Sequence, residues 1–281
     1  MHPYDGAAIV EAYFDAFGEN EWNRFDAVGR HGEIALEVHR AFLAEHVPPG
    51  SVVLDVGAGP GRFTIQLAER GCRVTVADLS RVQLASNADH VAAAGLEEQI
   101  AGRLRLDIRD LSTFADRTFD AVVAYGGPIS YAFDDAPIAV RECLRVVRPG
   151  GVVVASVMSL LGNARYFLAS FPPIIDAVGL EAFDAFLGRP DQRVLDVPDQ
   201  HPCLHFTARE LTALFEAEGG EPVALAASNW CSLGDAATLE LLAADPAIWS
   251  RFVDWEQRFC REPGAVDGGT HILLAARKPH A

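Results

Sequence analysis

The stretch Val53-Leu54-Asp55-Val56-Gly57-Ala58-Gly59-Pro60-Gly61 decides the fold of this chain. It begins as an apolar run with one carboxylate, which predicts a buried strand of a parallel sheet. The glycines predict a tight loop before a helix, because glycine accepts positive φ and lets a ligand approach the backbone. A second apolar run ends at Asp78, 21 positions after Gly57. This spacing is typical of a nucleotide-binding βαβ unit whose carboxylate binds a ribose.

The details of the glycine loop indicate which nucleotide is bound. A dinucleotide loop has the pattern G-x-G-x-x-G, whose third glycine lets helix and strand pack closely. Here the pattern is G-x-G-x-G, Arg62 follows it, and Asp55 stands two residues before the first glycine. The loop resembles motif I of the class I S-adenosylmethionine-dependent methyltransferases. The resemblance covers residues 50–160 in its motifs, including the turn at 149–151, and residues 205–277 more loosely.

The alternation of strand and helix patterns predicts an α/β fold with a doubly wound sheet. Five strands alternate with helices up to residue 157, and further strands are predicted at 222–227 and 271–276. The resemblance implies a Rossmann-like, seven-stranded sheet in the order 3-2-1-4-5-7-6, with an antiparallel seventh strand. We expect N-terminal helices before the sheet and a helical cap after strand five.

The same patterns predict how the chain is divided. Residues 1–48 are expected to form an N-terminal helical lid segment, and residues 49–281 a methyltransferase domain. Within that domain, residues 158–205 are predicted to be a cap insertion, and residues 229–268 a helical insertion.

The resemblance implies S-adenosylmethionine as cofactor, with S-adenosylhomocysteine as its product. The glycine loop, with Ala58 between Gly57 and Gly59, is expected against the methionine part, and Asp55 is expected to support the loop and the methionyl amino group. Asp78 is expected to accept hydrogen bonds from both ribose hydroxyls, since a carboxylate has enough acceptor sites.

Further cofactor positions follow from the same resemblance. Leu79 is expected near the adenine, and Asp107 with Ile108 is expected to bind the adenine edge. The backbone of Tyr125 is expected under the sulfonium. Residues 19–24 resemble a segment that lies over the cofactor in many small-molecule methyltransferases, where Arg24 would pair with the methionyl carboxylate. The alternative is a surface helix with one buried tryptophan.

Methyl transfer is an in-line displacement that requires positioning and the exclusion of water, so no catalytic residue type is obligatory. A base is needed only if the acceptor loses a proton. The candidates are His201 and His205, which precede a predicted helix, and Tyr131 in a Gly-Gly-Pro-type loop. Each has a structural alternative as a packed or loop residue.

Aromatic residues are the candidates for substrate contacts. They are expected in the lid and the cap, where they would line a pocket for an apolar or aromatic substrate or form the cap's own core. The candidates are Tyr13, Trp22, Tyr131, Tyr166 and Phe167.

Composition limits the partners of the chain. The 281 residues contain 23 Lys and Arg against 39 Asp and Glu, a net charge of −16. Because acidic surfaces repel phosphate backbones and anionic membranes, we expect a small-molecule substrate, no nucleic acid and no membrane. The 5 cysteines form no CxxC pair, which favours free thiols in the cytoplasm, and no metal-ligand spacing occurs. The N-terminal residues lack the features of a signal peptide. The chain is expected to be a monomer or homodimer.

Two other functions remain compatible with these residues. A protein on the same scaffold binds the cofactor without transferring its methyl group, as a regulator or as another kind of enzyme. An NAD-dependent oxidoreductase is the second alternative, and Arg62 in place of the third glycine disfavours it.

Overall fold

The computed structural model describes residues 6–195 and 201–280. Within these ranges the strands are β1 (Val52–Val56), β2 (Arg73–Asp78), β3 (Ile100–Arg105), β4 (Phe119–Ala124), β5 (Val147–Ser159), β6 (His205–Phe206), β7 (Glu221–Ala227) and β8 (His271–Arg277). The helices are α1 (Gly6–Phe17), α2 (Asn20–Ala27), α3 (Arg30–His46), α4 (Arg62–Glu69), α5 (Arg81–Ala93), α6 (Ala136–Val146), α7 (Leu160–Tyr166), α8 (Phe171–Val178), α9 (Leu180–Gly188), α10 (Ala208–Ala217), α11 (Ala236–Ala243) and α12 (Pro246–Phe259).

The strands form one mixed sheet in the order β3-β2-β1-β4-β5-β8-β7. The strands from β1 to β5 run parallel, and β8 is antiparallel to both of its neighbours. The predicted α/β class and the antiparallel last strand are therefore confirmed.

The predicted number of strands was wrong, because the described residues form eight. The additional strand, β6, pairs in parallel with the end of β5 through Met158 and Ser159. A strand of two residues leaves no periodic pattern in a sequence. The seven longer strands keep the predicted order, with the last one between β5 and the strand that precedes it.

Apolar layers cover both faces of the sheet. On one face, Val53 and Val123 pack with the fully buried Phe42 of α3. On the other face, Leu54 and Val122 pack in one cluster that includes residues of α6. A central sheet buried on both faces explains the nearly continuous apolar runs of β1 and β4.

The N-terminal segment contains three described helices where the sequence indicated two. α1 begins at Gly6, and residues 1–5 of the predicted lid lie outside the described residues. α2 is separated from α3 by Gly29, whose φ of 72° ends the helix without strain. Gln83 of α5 donates from Nε2 to the carbonyls of Phe14 and Gly18. It thereby ties the end of α1 to α5.

The cap follows β5 and contains α7, α8 and α9, while residues 196–200 of the predicted insertion lie outside the described residues. Phe183, Phe186 and Leu195 form a small core within it. The cap is attached to the sheet by a close backbone contact, because a Cβ on Gly162 would overlap the carbonyl of Gly269.

We predict that Gly162→Ala lowers the free energy of unfolding by about 1–3 kcal/mol, because the added methyl meets backbone that cannot move cheaply. Gly188→Ala is the control, since Gly188 is also helical and nothing lies within 4 Å of its Cβ position. Chemical denaturation monitored by circular dichroism measures both. Equal free energies of unfolding for the two variants would contradict the close contact between Gly162 and Gly269.

Candidate cofactor and acceptor site

The glycine loop is fixed by hydrogen bonds to the neighbouring strand. The amides of Gly57 and Ala58 donate to the carbonyl of Ala77, at 2.8 and 3.2 Å. Gly57 has a φ of 66°, and a Cβ there would overlap the ring of Pro128. The loop therefore requires glycine at this position for both its conformation and its packing.

Asp55 lies beneath the loop, at the end of β1. It is buried, and its Oδ2 accepts a hydrogen bond of 2.6 Å from the hydroxyl of Thr64 in α4. Asn87 of α5 donates to the same hydroxyl at 3.0 Å. Burial raises the pKa of Asp55 to about 7. The expected support of the loop has this structural counterpart, whereas contact with the methionyl amino group stays a prediction.

Asp78 ends β2 and connects the loop to α5. Its Oδ2 accepts from the amide of Gly59 at 2.9 Å, and its Oδ1 accepts from the amide of Ser80 at 2.8 Å. Burial raises the pKa of Asp78 to about 6, with a further contribution from the nearby charge of Glu21, although the amide hydrogen bonds oppose this shift. The remaining lone pairs of the carboxylate are acceptors for hydroxyl groups.

Asp107 follows β3 and is already paired. Arg109 donates to it from Nε and Nη2, with the shortest contact at 2.6 Å, and the amide of Arg109 donates to Oδ1. Arg109 also reaches Asp135 at 2.9 Å. An adenine amine would therefore share the Asp107 carboxylate with a guanidinium, which the sequence did not indicate.

The N-terminal helices contribute charged residues to the same region. Arg24 lies 3.0 Å from Oε1 of Glu21, and its Nη2 lies beside Gly126. Burial raises the pKa of Glu21. Arg62, the residue in place of the third glycine, donates from Nε to the carbonyl of Trp22 at 2.9 Å and stacks its guanidinium on that ring. This arginine therefore holds α2 against the loop.

These elements surround a cavity of about 920 Å³ at the carboxyl ends of the parallel strands. We call it the cofactor cavity. It brings together most of the predicted cofactor residues, namely Arg24, Gly57, Ala58, Gly59, Asp78, Leu79, Asp107, Ile108 and Tyr125. Tyr131, a predicted catalytic and substrate residue, also lines it. Of the predicted cofactor residues, Asp55 alone lies outside this lining.

A second cavity, of about 1040 Å³, lies under the cap, and we call it the cap cavity. Phe167, His201 and His205 are among its lining residues. The two cavities meet at one hydrogen bond of 2.9 Å, between the hydroxyl of Tyr131 and Nε2 of His201. Burial raises the pKa of Tyr131 well above its usual value and lowers that of His201 to about 4. The pair is therefore neutral near pH 7.

The other predicted substrate residues lie outside both linings. Tyr13 stacks on the ring of His201, with ring centroids 5.0 Å apart. Trp22 stacks on His90 at 3.7 Å, on the outer side of the glycine loop. The hydroxyl of Tyr166 is hydrogen-bonded to Nε2 of His31 at 2.8 Å. Tyr13 contacts a lining residue, and Trp22 and Tyr166 likewise contact lining residues, Arg62 and Phe167.

His271, which the sequence analysis did not single out, lies at this edge of the sheet. It begins β8, opposite Met158 of β5, and its ring lies 5.8 Å from that of His39. Within the described residues its buried Nε2 has no hydrogen-bond partner. Burial lowers its pKa well below the usual value. Its position depends on strand pairing across a separation of more than 100 residues, so no local pattern indicated it.

The cofactor cavity has the features that S-adenosylmethionine requires. Gly59 and Gly126 have positive φ, and a Cβ on Gly59 would stand 3.9 Å from the nearest side-chain atom, so glycine keeps this space open for a ligand. Asp78 offers acceptors to a ribose, and Arg24 offers a cation to a carboxylate. The carboxyl group of Glu21 also lines this cavity.

Comparison with known proteins matches part of the chain to methyltransferases. The family model described as "Methyltransferase domain" matches residues 53–151. Demethylmenaquinone methyltransferase of Mycolicibacterium paratuberculosis is 34% identical over 139 residues, which cover 47% of this chain and 55% of that protein. The chain thus spans only about half the length of that relative.

Solved structures show the same fold at lower identity. One is 1,6-didemethyltoxoflavin-N1-methyltransferase of Burkholderia thailandensis, with 1,6-didemethyltoxoflavin and S-adenosylhomocysteine bound. It has a TM-score of 0.59 and 18% identity, and the match covers 100% of this chain and 92% of that one. Another is the cyclase SpnF, with a TM-score of 0.54, 20% identity and coverage of 86% and 80%.

The family match places the glycine loop and the strands β2 to β4 within a methyltransferase domain, residues 53–151. None of the described helices is both long and apolar enough to cross a membrane. The described residues also bring together no group of three or more His, Cys, Asp or Glu suited to a metal ion.

We predict that the affinity for S-adenosylhomocysteine falls by about tenfold between about pH 7.5 and about pH 5. The reason is that Asp78, with its pKa raised to about 6, is ionised above this value and protonated below it, and the ionised form is the better acceptor for ribose hydroxyls. Calorimetric titration measures the affinity. Asp78→Asn is expected to bind more weakly and with less pH dependence. An unchanged pH dependence in Asp78→Asn would contradict this assignment.

Proposed function

We propose that this protein transfers the methyl group of S-adenosylmethionine to a small molecule. The observation that supports this most is the cofactor cavity, in which the glycine loop, Asp78 and Arg24 line one space. When bound, S-adenosylmethionine supplies a methyl group on a positively charged sulfur, which keeps the electron pair of the broken bond and becomes neutral. The protein's main task is to hold an acceptor atom in line with that methyl group and exclude water.

Each part of the cofactor has a partner in this proposal. Asp78 accepts hydrogen bonds from the ribose hydroxyls. Leu79 and Ile108 pack against the adenine. The adenine amine donates to Asp107, which also accepts from Arg109. Arg24 binds the methionyl carboxylate through its guanidinium, a charge-assisted interaction.

The acceptor approaches Tyr131 and His201. Nε2 of His201 is hydrogen-bonded to the hydroxyl of Tyr131, which fixes the imidazole, so Nδ1 takes the proton that the acceptor atom loses as it gains the methyl group. The lowered pKa of His201 still suffices for an oxygen acceptor, because an oxygen that carries both the proton and the new methyl group is strongly acidic.

The structural likeness to the cyclase SpnF keeps a non-methylating reaction in this fold as a second candidate. Incubation with radiolabelled S-adenosylmethionine and candidate acceptors separates the two. Label in a small-molecule product supports methyl transfer. Cofactor binding without transfer to any acceptor would favour the alternative, and absence of cofactor binding would overturn both.

We predict that Arg24→Gln weakens binding of S-adenosylhomocysteine by about tenfold or more, the value of one charge-assisted interaction. Binding of 5′-methylthioadenosine, which lacks the amino-acid part, is expected to change little. Asp78→Ala serves as the comparison and is expected to weaken both ligands, since both carry the ribose. Calorimetry measures the four affinities. Equal effects of Arg24→Gln on the two ligands would contradict the assignment of Arg24 to the carboxylate.

For an acceptor found in the radiolabel assay, we predict that Tyr131→Phe lowers kcat by about tenfold to a hundredfold, because His201 loses the group that orients it. The KM for S-adenosylmethionine is expected to stay the same. Steady-state kinetics measures both. A change confined to the cofactor KM would assign Tyr131 to cofactor binding instead.

A further inference from the structure

The lining of the cap cavity carries no Asp, Glu, Lys or Arg among the described residues. It consists mainly of aliphatic and aromatic side chains, in a chain whose overall charge is −16. Its two histidines are neutral near pH 7, because burial lowers the pKa of His201 to about 4 and also lowers that of His205. The described part of the lining therefore offers no charge to a ligand.

Several polar groups of the lining are engaged with the protein itself. Nδ2 of Asn163 donates to the carbonyls of Ser159 and Thr270, at 2.7 and 2.9 Å. The thiol of Cys203 lies 3.3 Å from Oε1 of Gln192. A ligand in this cavity gains mostly from apolar burial, since burying an unpaired charge here would be costly.

The cavity is not a closed packing defect of the cap. Phe167 and Leu187 line it, and their side chains are 51% and 39% exposed. Exposed apolar residues at the rim of a cavity are typical of an entrance for an apolar ligand. Its empty space of about 1040 Å³ includes open solvent, so the cavity is accessible to a ligand from outside.

The inner end of the cavity lies against the cofactor cavity. His201 lines the cap cavity, Tyr131 lines the cofactor cavity, and their hydrogen bond joins the two linings. Beside this pair, Cε of Met158 lies 3.1 Å from the Cβ position of Gly127. A ligand at the inner end therefore lies beside His201 and next to the cofactor cavity.

We propose that the cap cavity binds the methyl acceptor, and that this acceptor is an uncharged, largely apolar aromatic molecule whose polar reacting group points toward His201. The proposal rests on the proposed function, because it names the substrate class of the same site. It assigns the recognition of the acceptor to apolar cap residues.

The test uses N-phenyl-1-naphthylamine, a neutral apolar fluorophore, titrated into the full-length protein. We expect saturable binding and displacement by 2-naphthol. Because 6-hydroxy-2-naphthoic acid has the same rings and a carboxylate, we expect it to displace the probe at least about tenfold more weakly. Absence of saturable binding, or equal displacement by both competitors, would overturn the proposal.

A matched pair of variants locates the binding. Ala164 lines the cavity, and Ala169 is exposed a few residues away and does not line it. Ala164→Trp is expected to fill the cavity and weaken probe binding by about tenfold or more, while Ala169→Trp leaves it unchanged. Equal affinities of the two variants would place the probe elsewhere and overturn the proposal.

Calorimetry with S-adenosylhomocysteine on the same preparations separates this proposal from the proposed function. Both variants are expected to bind it as the wild type does, which also shows that they are folded. If Ala164→Trp loses the probe but still binds S-adenosylhomocysteine, the substitution has affected the acceptor site alone. A wild type that binds the probe but not S-adenosylhomocysteine would overturn the proposed function and leave the apolar cavity in place.

Discussion

The structure depends on the way the glycine loop is fixed at the carboxyl end of the sheet. The amides of Gly57 and Ala58 are held by the carbonyl of Ala77, and the amide of Gly59 is held by Asp78. These bonds satisfy backbone groups that the sharp turn would leave unpaired. They also set the distance between the loop and Asp78, so the same contacts shape the cofactor cavity.

The N-terminal helices complete this cavity with charge. Glu21 is buried beside Arg24, and Arg62 holds α2 through the carbonyl of Trp22. Buried carboxyl groups are costly without a partner. In the proposed function the ligand offsets this cost, because it brings a positively charged sulfur and a zwitterionic amino acid close to residues of opposite charge.

The two cavities differ in chemistry, although one hydrogen bond joins their linings. The cofactor cavity contains Glu21, Arg24, Asp78, Asp107 and Arg109, whereas the described lining of the cap cavity has no charged side chain. This contrast separates recognition of a charged cofactor from recognition of an apolar acceptor. A neutral Tyr131–His201 pair at the boundary suits a reaction that must exclude water and move at most one proton.

The sequence by itself determined the α/β class, the glycine loop and the strand-end carboxylates Asp78 and Asp107, which line the cofactor cavity. Those features depend on short-range signals: apolar runs, glycines at fixed spacing, and carboxylates at strand ends that parallel pairing brings to one edge. Only the tertiary structure decided the strand β6, the engagement of Asp107 by Arg109, the positions of Trp22 and Tyr166 outside the two linings, and the place of His271. These depend on side-chain contacts and on strand pairing between distant segments, for which the local pattern of residues carries no signal.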